Sequence, residues 1–245
     1  MTSLNLADRP DDYDQNEEGI PKEHLKKLIR DYKLHPGINM ALFIAAGSLA
    51  RKKTWTGTDY AEHYLRVSGV GFGARFGISL EEQIVGILHD VVEDSDWTIE
   101  DLREVGFSNK ICNAVRSVTK DPNASPKEKY LDASRRASID PIGRRVKMRD
   151  NYDNMDLTRG PFAAGDKQKY LYHISYMYLE AVDRNDITPG SSIWEFLEDE
   201  RFSKLITDEN AQIIAKHVSE PMPHRFALKF NLAAGGGGVA APAPH

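Results

Sequence analysis

Apolar residues recur three and four positions apart through most of this chain, and that spacing predicts α-helices almost throughout. Leu25, Leu28 and Ile29 mark one face of a helix over residues 22–32, opened by Pro21 and ended by His35-Pro36-Gly37. A second helix, over 39–51, is apolar nearly all round (Met40, Leu42, Phe43, Ile44, Leu49), the pattern of a central core element. A third, over 59–70, has Tyr60, Tyr64 and Val67 as its core face. Ser79 with Glu82 reads as a capping box that opens a helix running through Glu93, with Ile84, Ile87, Leu88 and Val91 inward. Thr98 and Asp101 cap a short helix ended by Gly106, and Ser108 begins another with Ile111, Val115 and Val118 inward. A loop over 122–126 leads to a charged helix over 127–137. Next come a helix over 144–155, entered through Pro141-Ile142-Gly143, and a long aromatic helix over 167–182. Helical segments over 194–205 and 209–217 follow. No segment alternates as a strand would, and none repeats. The fold class is all-α.

The ends have a different texture. Residues 1–19 carry Asp8, Asp11, Asp12, Asp14, Glu17 and Glu18 with few large apolar groups, which reads as a flexible acidic arm. Prolines at 221 and 223 break the helical pattern, and the chain closes on Gly, Ala and Pro, so 221–245 reads as a low-complexity tail. That leaves one domain over 20–220. At 245 residues, 40% hydrophobic and 28% charged, the chain has the balance of an ordinary soluble protein. A formal charge of −5 and a pI near 5.9 argue against a general nucleic-acid binder. No apolar run is long enough to span a bilayer, so no membrane partner is expected. The N-terminus lacks the basic-then-apolar pattern of a signal peptide, and the single Cys112 excludes an internal disulfide. Cytoplasmic localisation is the expectation.

One stretch departs from the bland pattern. Ile87-Leu88-His89-Asp90-Val91-Val92-Glu93-Asp94 places four ionisable groups at the edge of a core, with no Lys or Arg nearby in sequence to neutralise them. On a continuous helix His89 and Glu93 share one face, and Asp90 and Asp94 the next. Read plainly, this is a helix end with solvated acids. The same quartet also suits a divalent cation beside a proton-transfer group. Elsewhere His63 sits on the third helix, and Val146, Asp150, Asp153 and Asn154 fall on one side of another, an odd face for a core unless oxygen ligands are wanted there. Taken alone, that helix would simply pair its acids with Arg144, Arg145 and Arg149, and Arg51-Lys52-Lys53 would be cations at a helix C-terminus. Together, His63, His89-Asp90 and Asp150 make a mixed nitrogen and oxygen donor set that suits Mn, Fe or Zn better than Mg or Ca. Phosphoester hydrolysis is the natural chemistry of such a site, with Glu93 or Asp94 placed to orient a water or relay its proton.

The His…His-Asp…Asp arrangement resembles the HD phosphohydrolases. More narrowly, it is similar to the hydrolase domain of the Rel/Spo stringent-response enzymes and their small stand-alone relatives, including the metazoan Spo-like hydrolases. Arg51-Lys52-Lys53 through Gly57-Thr58-Asp59-Tyr60 to His63 resembles that family's basic stretch, Gly-x-Pro-Tyr turn and first metal histidine. Residues 87–94 resemble its Leu-Leu-His-Asp-x-x-Glu-Asp signature, with Asp96 and Thr98 continuing the match. Val118-Thr119-Lys120 resembles its Val-Thr-Lys segment. Val146-Lys147-Met148-Arg149-Asp150 with Asn154-Met155 resembles its Val-Lys-Leu-Ala-Asp-x-x-x-Asn-Leu helix. The resemblance covers residues 39–182.

The resemblance implies an HD-domain helical bundle with a metal site between helices. It makes His63, His89, Asp90 and Asp150 ligands of Mn²⁺, or of another divalent transition metal, and Glu93 and Asp94 catalytic. It assigns Arg51, Lys52, Lys53 and Asn154 to a small nucleotide substrate. The implied reaction removes the 3′-pyrophosphate of (p)ppGpp, giving GDP or GTP and pyrophosphate. The alternatives are the same site acting on another nucleotide, such as the 2′-phosphate of NADPH or a nucleoside phosphate, and a non-catalytic module that senses a nucleotide. Gly47, Asp59, Tyr64, Arg149 and Asn151 depart from the family pattern near the expected pocket, where they bear on substrate identity. The chain after Val182 has no room for the synthetase half of the long Rel/Spo enzymes, so the activity expected is hydrolytic.

Overall fold

A computed structural model describes residues 19–54, 57–71, 73–120, 126–156, 167–204 and 206–232. The acidic arm over 1–18, most of the loop expected over 122–126, and the tail from 233 lie outside the described residues. Among the described residues fourteen α-helices follow in order: α1 Lys22–Asp31, α2 Ile38–Ser48, α3 Tyr60–Ser68, α4 Leu80–Leu88, α5 Val91–Asp94, α6 Ile99–Glu104, α7 Asn109–Val118, α8 Tyr130–Ala137, α9 Pro141–Asn154, α10 Lys167–Asp183, α11 Ile193–Glu198, α12 Glu200–Ser203, α13 Asp208–Lys216 and α14 His224–Lys229. A 3₁₀ turn, Gly73–Phe76, precedes α4. Among the described residues there is no strand, only an isolated bridge between Lys53 and Asp59. The all-α expectation holds.

The caps read from sequence are made, except that the box expected at Ser79 is only half formed, because the Glu82 carboxylate turns to Arg145 and Arg149. Ser79 accepts the amide of Glu82 at 3.2 Å, Ser108 that of Ile111 at 3.3 Å, and Thr98 and Asp101 form a reciprocal capping box. Helix α9 starts earlier than expected because Asp140 accepts the amides of Ile142 and Gly143 and Pro141 supplies a preset first turn.

Two apolar clusters fill the bundle. One gathers Leu25, Met40, Ile44, Val67, Val85, Leu88, Trp97, Leu102 and Val115 from the first seven helices. The other gathers Leu131, Leu171, Tyr178, Trp194, Phe196, Ile214 and Phe226 from the C-terminal half. Helix α9 lies between them, packing on α3, α4, α7 and α8 and most extensively on α10. A polar face on a central helix must be satisfied by neighbours, and that position decides where the chemistry sits.

Three expectations are corrected. The helix expected from Ser79 through Glu93 breaks at His89-Asp90. Asp90 takes φ −100° and ψ −6°, α5 restarts after it, and the Asp90 carboxylate accepts the hydroxyl of Tyr60 on α3. The helix expected over 194–205 divides at Asp199, whose carboxylate caps the next turn by accepting the amide of Arg201 at 2.9 Å. The tail expected from 221 starts later: α14 buries Phe226 in the second cluster, with Phe230 just beyond it.

Residues that stood out as unusual near the pocket turn out to serve packing. A Cβ on Gly47 would lie 2.7 Å from a methyl of Leu25, so Gly47 leaves the room that the Leu25 side chain fills where α1 docks on α2. Tyr64 is core, and Asn151 is fully buried between Tyr130 and Ser175. Arg149 donates to the carbonyl of Val67 at 2.8 Å and pairs with the buried Glu82, tying α9 to α3 and α4. None of them, nor Asp59, is among the described residues that line the cavity described next.

Candidate active site

Helices α3 and α4 cross without an intervening side chain. A Cβ on Gly86 would stand 2.6 Å from the Cα of Ser68, so the two backbones touch. That contact brings His63, five residues before Ser68, toward His89, three residues after Gly86. Their Nε2 atoms lie 3.2 Å apart. The turn at Asp90 swings its carboxylate to 2.9 Å from His89 Nε2 and 3.6 Å from His63 Nε2. Asp150, on α9, closes the group at 3.4 Å from His63 Nε2 and 3.8 Å from His89 Nε2. Three separated stretches of sequence thus bring two imidazole nitrogens and the Asp90 carboxylate together, with the Asp150 carboxylate facing both imidazoles from α9. His63, His89 and Asp150 are buried, and Asp90 is half-buried.

The second nitrogen of each ring shows which way the first must face. His89 Nδ1 lies 2.8 Å from the carbonyl of Gly86, which can only accept. His63 Nδ1 lies 2.7 Å from Oδ2 of Asp153. Both rings therefore carry a proton on Nδ1, and both Nε2 atoms face the same place, where they can donate to a cation once any proton there has left. Two donors each about 2.1 Å from a shared cation stand roughly 3.0–3.4 Å apart, from octahedral or tetrahedral angles. The observed separations bracket that range. The donors of His63, His89 and Asp90 all lie within 4.8 Å of one another, and the set fits a divalent transition metal.

The electrostatics agree. Burial disfavours an imidazolium at His63, but Asp150, Asp153 and Asp90 outweigh it and raise its pKa well above the ordinary value. His89 is likewise buried and likewise raised, by Asp90. Burial alone would push the Asp90 and Asp150 carboxyls up. The charges facing them, His89 and His63 for Asp90 and chiefly Lys147 for Asp150, hold both below the usual carboxylate range. A site that favours anionic oxygens and positive charge at one point attracts protons and metal cations alike, and binding of the second releases the first.

Beside the donors lies a cavity of about 340 Å³, lined by His63, Asp90 and Asp150 with His89 behind them. Tyr60 donates its hydroxyl to Asp90, and Lys147 donates to Oδ2 of Asp150 at 2.7 Å. Asn154, expected to touch a nucleotide, lines the cavity but turns its amide onto Oδ1 of Asp150 at 2.7 Å. Glu93 accepts the backbone amide of Lys120 at 3.1 Å, with the Lys120 ammonium 3.6 Å away. Asp94 is paired with Lys52, whose ammonium stands 4.2 Å over the ring of Tyr60. Desolvation and the neighbouring Asp90 charge raise the Asp94 carboxyl, and Lys52 only partly offsets them. Lys53 lines the cavity and pairs with Asp59, whereas Arg51 is exposed and is not among the described lining residues. Tyr130, Tyr172 and Gln168 complete the described wall.

Several of these residues had no distinct signal in the sequence. Lys147 lies one turn before Asp150, the one spacing that could have marked it as a partner. Tyr172 and Gln168 come from α10, and only the packing of α10 on α9 carries them to the cavity. What the arrangement can do follows from its parts. A dense acid and imidazole centre, ringed by Lys52, Lys53, Lys120 and Lys147 and walled by aromatic rings, suits a small molecule carrying several phosphates.

Comparison with known proteins bears on the same region. No family model matches the chain. It is 28% identical over 197 residues to the guanosine-3′,5′-bis(diphosphate) 3′-pyrophosphohydrolase of Aquifex aeolicus, an alignment covering 78% of this chain and 27% of that protein. It is 32% identical over 107 residues to the guanosine-3′,5′-bis(diphosphate) 3′-pyrophosphohydrolase MESH1 of Drosophila melanogaster, covering 43% of this chain and 59% of that one. The chain therefore spans about a quarter of the bacterial relative and under two thirds of the fly protein. Its structure is similar to that of a metazoan ortholog of SpoT that hydrolyses ppGpp, with a TM-score of 0.52 at 22% identity. That match covers 70% of this chain and 97% of the other, which establishes a shared helical fold.

Proposed function

We propose that this chain is a metal-dependent hydrolase that removes the 3′-pyrophosphate from (p)ppGpp, releasing GDP or GTP and pyrophosphate. The observation that carries the reading is the convergence of His63, His89, Asp90 and Asp150 beside a lysine-lined cavity, which His63, Asp90 and Asp150 themselves line. The names of the relatives point to the same reaction. These four residues would hold Mn²⁺, which when bound supplies Lewis acidity toward a phosphoryl oxygen and an acidified water.

The chain's own groups divide the remaining work. Lys52, Lys53 and Lys120 neutralise phosphate charge at the mouth, and Tyr130 and Tyr172 offer flat faces to the nucleoside. Hydrolysis forms a bond from water oxygen to the 3′-phosphorus and breaks the bond from that phosphorus to the 3′-oxygen. The water loses a proton and the leaving oxygen gains one. Asp94, with its carboxyl raised, and the adjacent Glu93 serve these transfers, with Lys52 and Lys120 holding them in place. Among the described residues no helix is long and apolar enough to cross a membrane, and we assign the enzyme to the cytoplasm with a free nucleotide as substrate.

The experiment is a substrate panel with Mn²⁺-loaded full-length protein: ppGpp, pppGpp, NADPH and nucleoside di- and triphosphates. Pyrophosphate release from ppGpp that disappears in His89→Ala supports the proposal. Phosphate release from NADPH alone would keep the metal site and replace the substrate. Metal binding with no turnover on any of them would favour a sensor.

A further inference from the structure

Behind His63, away from the cavity, lies a group that the reaction outlined above does not use. Asp153 is buried on α9, one turn past Asp150, and is not among the described lining residues. Its Oδ2 accepts the Nδ1–H of His63 at 2.7 Å. Its Oδ1 accepts Nε–H of Arg66 at 2.6 Å, and Arg66 Nη2 reaches Oδ2 at 3.4 Å. Arg66 lies on α3, one turn after His63, so the three side chains close a triangle between α3 and α9. A carboxylate gripped through both oxygens by a guanidinium has a fixed plane, and so does the imidazole it receives.

We infer that Asp153, clamped by Arg66, is a positioning residue that locks His63 as the Nδ1–H tautomer and aims a more basic Nε2 at the metal point. The inference rests on the proposed metal site and adds to it a supporting pair made of this chain's own residues. The two imidazoles are held unequally. His89 gives its Nδ1–H to the neutral Gly86 carbonyl, whereas His63 gives it to a carboxylate. An anionic acceptor pushes electron density through the ring, so His63 is the stronger donor of the two. An asparagine at 153 cannot replace the aspartate. Its carbonyl oxygen can accept from His63 or from Arg66, but its amide then presents a donor to the other.

The test uses full-length protein and the metal alone, Mn²⁺ by calorimetry and Co²⁺ by visible absorption. Asp153→Asn and Asp153→Ala are expected to weaken Mn²⁺ binding about 10- to 100-fold and to alter the Co²⁺ spectrum. Arg66→Gln moves both in the same direction by less, and Arg66→Lys recovers part of the loss. With ppGpp, kcat falls in these variants while KM stays within about twofold, since neither side chain lines the cavity. Mn²⁺ affinity within twofold of wild type and an unaltered Co²⁺ spectrum in folded Asp153→Asn would overturn the inference. If the Asp153 variants do not fold, the same null result in Arg66→Gln overturns it. Wild-type protein that binds neither metal would overturn the metal site and the clamp together. Wild-type protein that binds metal but leaves ppGpp intact removes only the substrate, and the affinity comparison stands.

Discussion

Gly86 and Ser68 touch backbone to backbone, since a Cβ at Gly86 would lie 2.6 Å from the Cα of Ser68. The carbonyl of Gly86 also takes the Nδ1 proton of His89. One glycine therefore sets both the approach of two helices and the aim of an imidazole. Gly86→Ala should cost about 1–3 kcal/mol through overpacking, against a small gain in helix propensity. Because α4 must shift to admit the methyl, Mn²⁺ affinity should fall as well. Chemical denaturation and calorimetry on the same sample check this, and unchanged values for both would mean that α3 and α4 separate freely.

Removal of a donor should remove the metal. His89→Ala or Asp150→Ala is expected to abolish both bound Mn²⁺ and turnover, measured by elemental analysis after dialysis and by pyrophosphate release. Full metal content in either variant would take that residue out of the ligand set.

Glu93 and Asp94 stand beside the donors rather than among them. Glu93→Gln and Asp94→Asn should retain metal and lose rate by on the order of 10²-fold or more. Single-turnover rates on metal-replete protein decide it. A variant with wild-type rate has no part in proton transfer.

Lys52 lowers the carboxyl of Asp94 by its charge and hydrogen bond. With Lys52→Ala that restraint is gone and the ionisation of Asp94 moves to higher pH, so the corresponding limb of the kcat profile should shift upward. KM should rise at the same time through the lost phosphate contact. A profile that does not move separates Asp94 from the observed limb.

Away from the site, Lys26 is buried and bonds to Asp101 and, at 2.7 Å, to Glu104, while Lys22 reaches Asp101 at 3.1 Å. These pairs fasten α1 to α6. Burial would raise the Asp101 carboxyl, but the bonds from Lys26, Thr98 and Lys22 hold it below its usual range. A carboxylate depressed on folding adds stability that is complete above its unfolded pKa of about 3.9 and fades as the pH drops toward the folded value. Asp101→Asn can keep the oxygen that accepts from Thr98, removes the charge and turns an amide donor toward Lys26. It should cost about 1–2 kcal/mol at pH 7, with the gap to wild type narrowing below about pH 4. Urea titrations at the two pH values test it, and a gap that stays constant would mean the charge contributes nothing.

Most of the helical outline was legible in the sequence because it is written locally. Ser79 to Glu82, Thr98 to Asp101 and the three- and four-residue spacing of Ile84, Ile87 and Leu88 act within one turn. The four candidate ligands could also be proposed, because His63, His89-Asp90 and Asp150 together offer metal-type donors in an arrangement that resembles a known family, although each alone had a plain local reading. Local reading failed where a distant partner competes with the chain's own neighbours. Asp90 leaves the helix where its carboxylate meets Tyr60 and His89, and no rule of spacing contains Tyr60. Asp153 could have paired with Arg149 four residues earlier on its own helix, yet it takes Arg66 and His63 from α3. Asn154 faces Asp150 rather than the open cavity for the same reason. The sequence by itself determined the helices and the kinds of atoms brought to the site. Only the tertiary structure decided which acid binds which base, because a buried charge takes whichever partner the packing brings nearest, and packing joins residues almost a hundred positions apart.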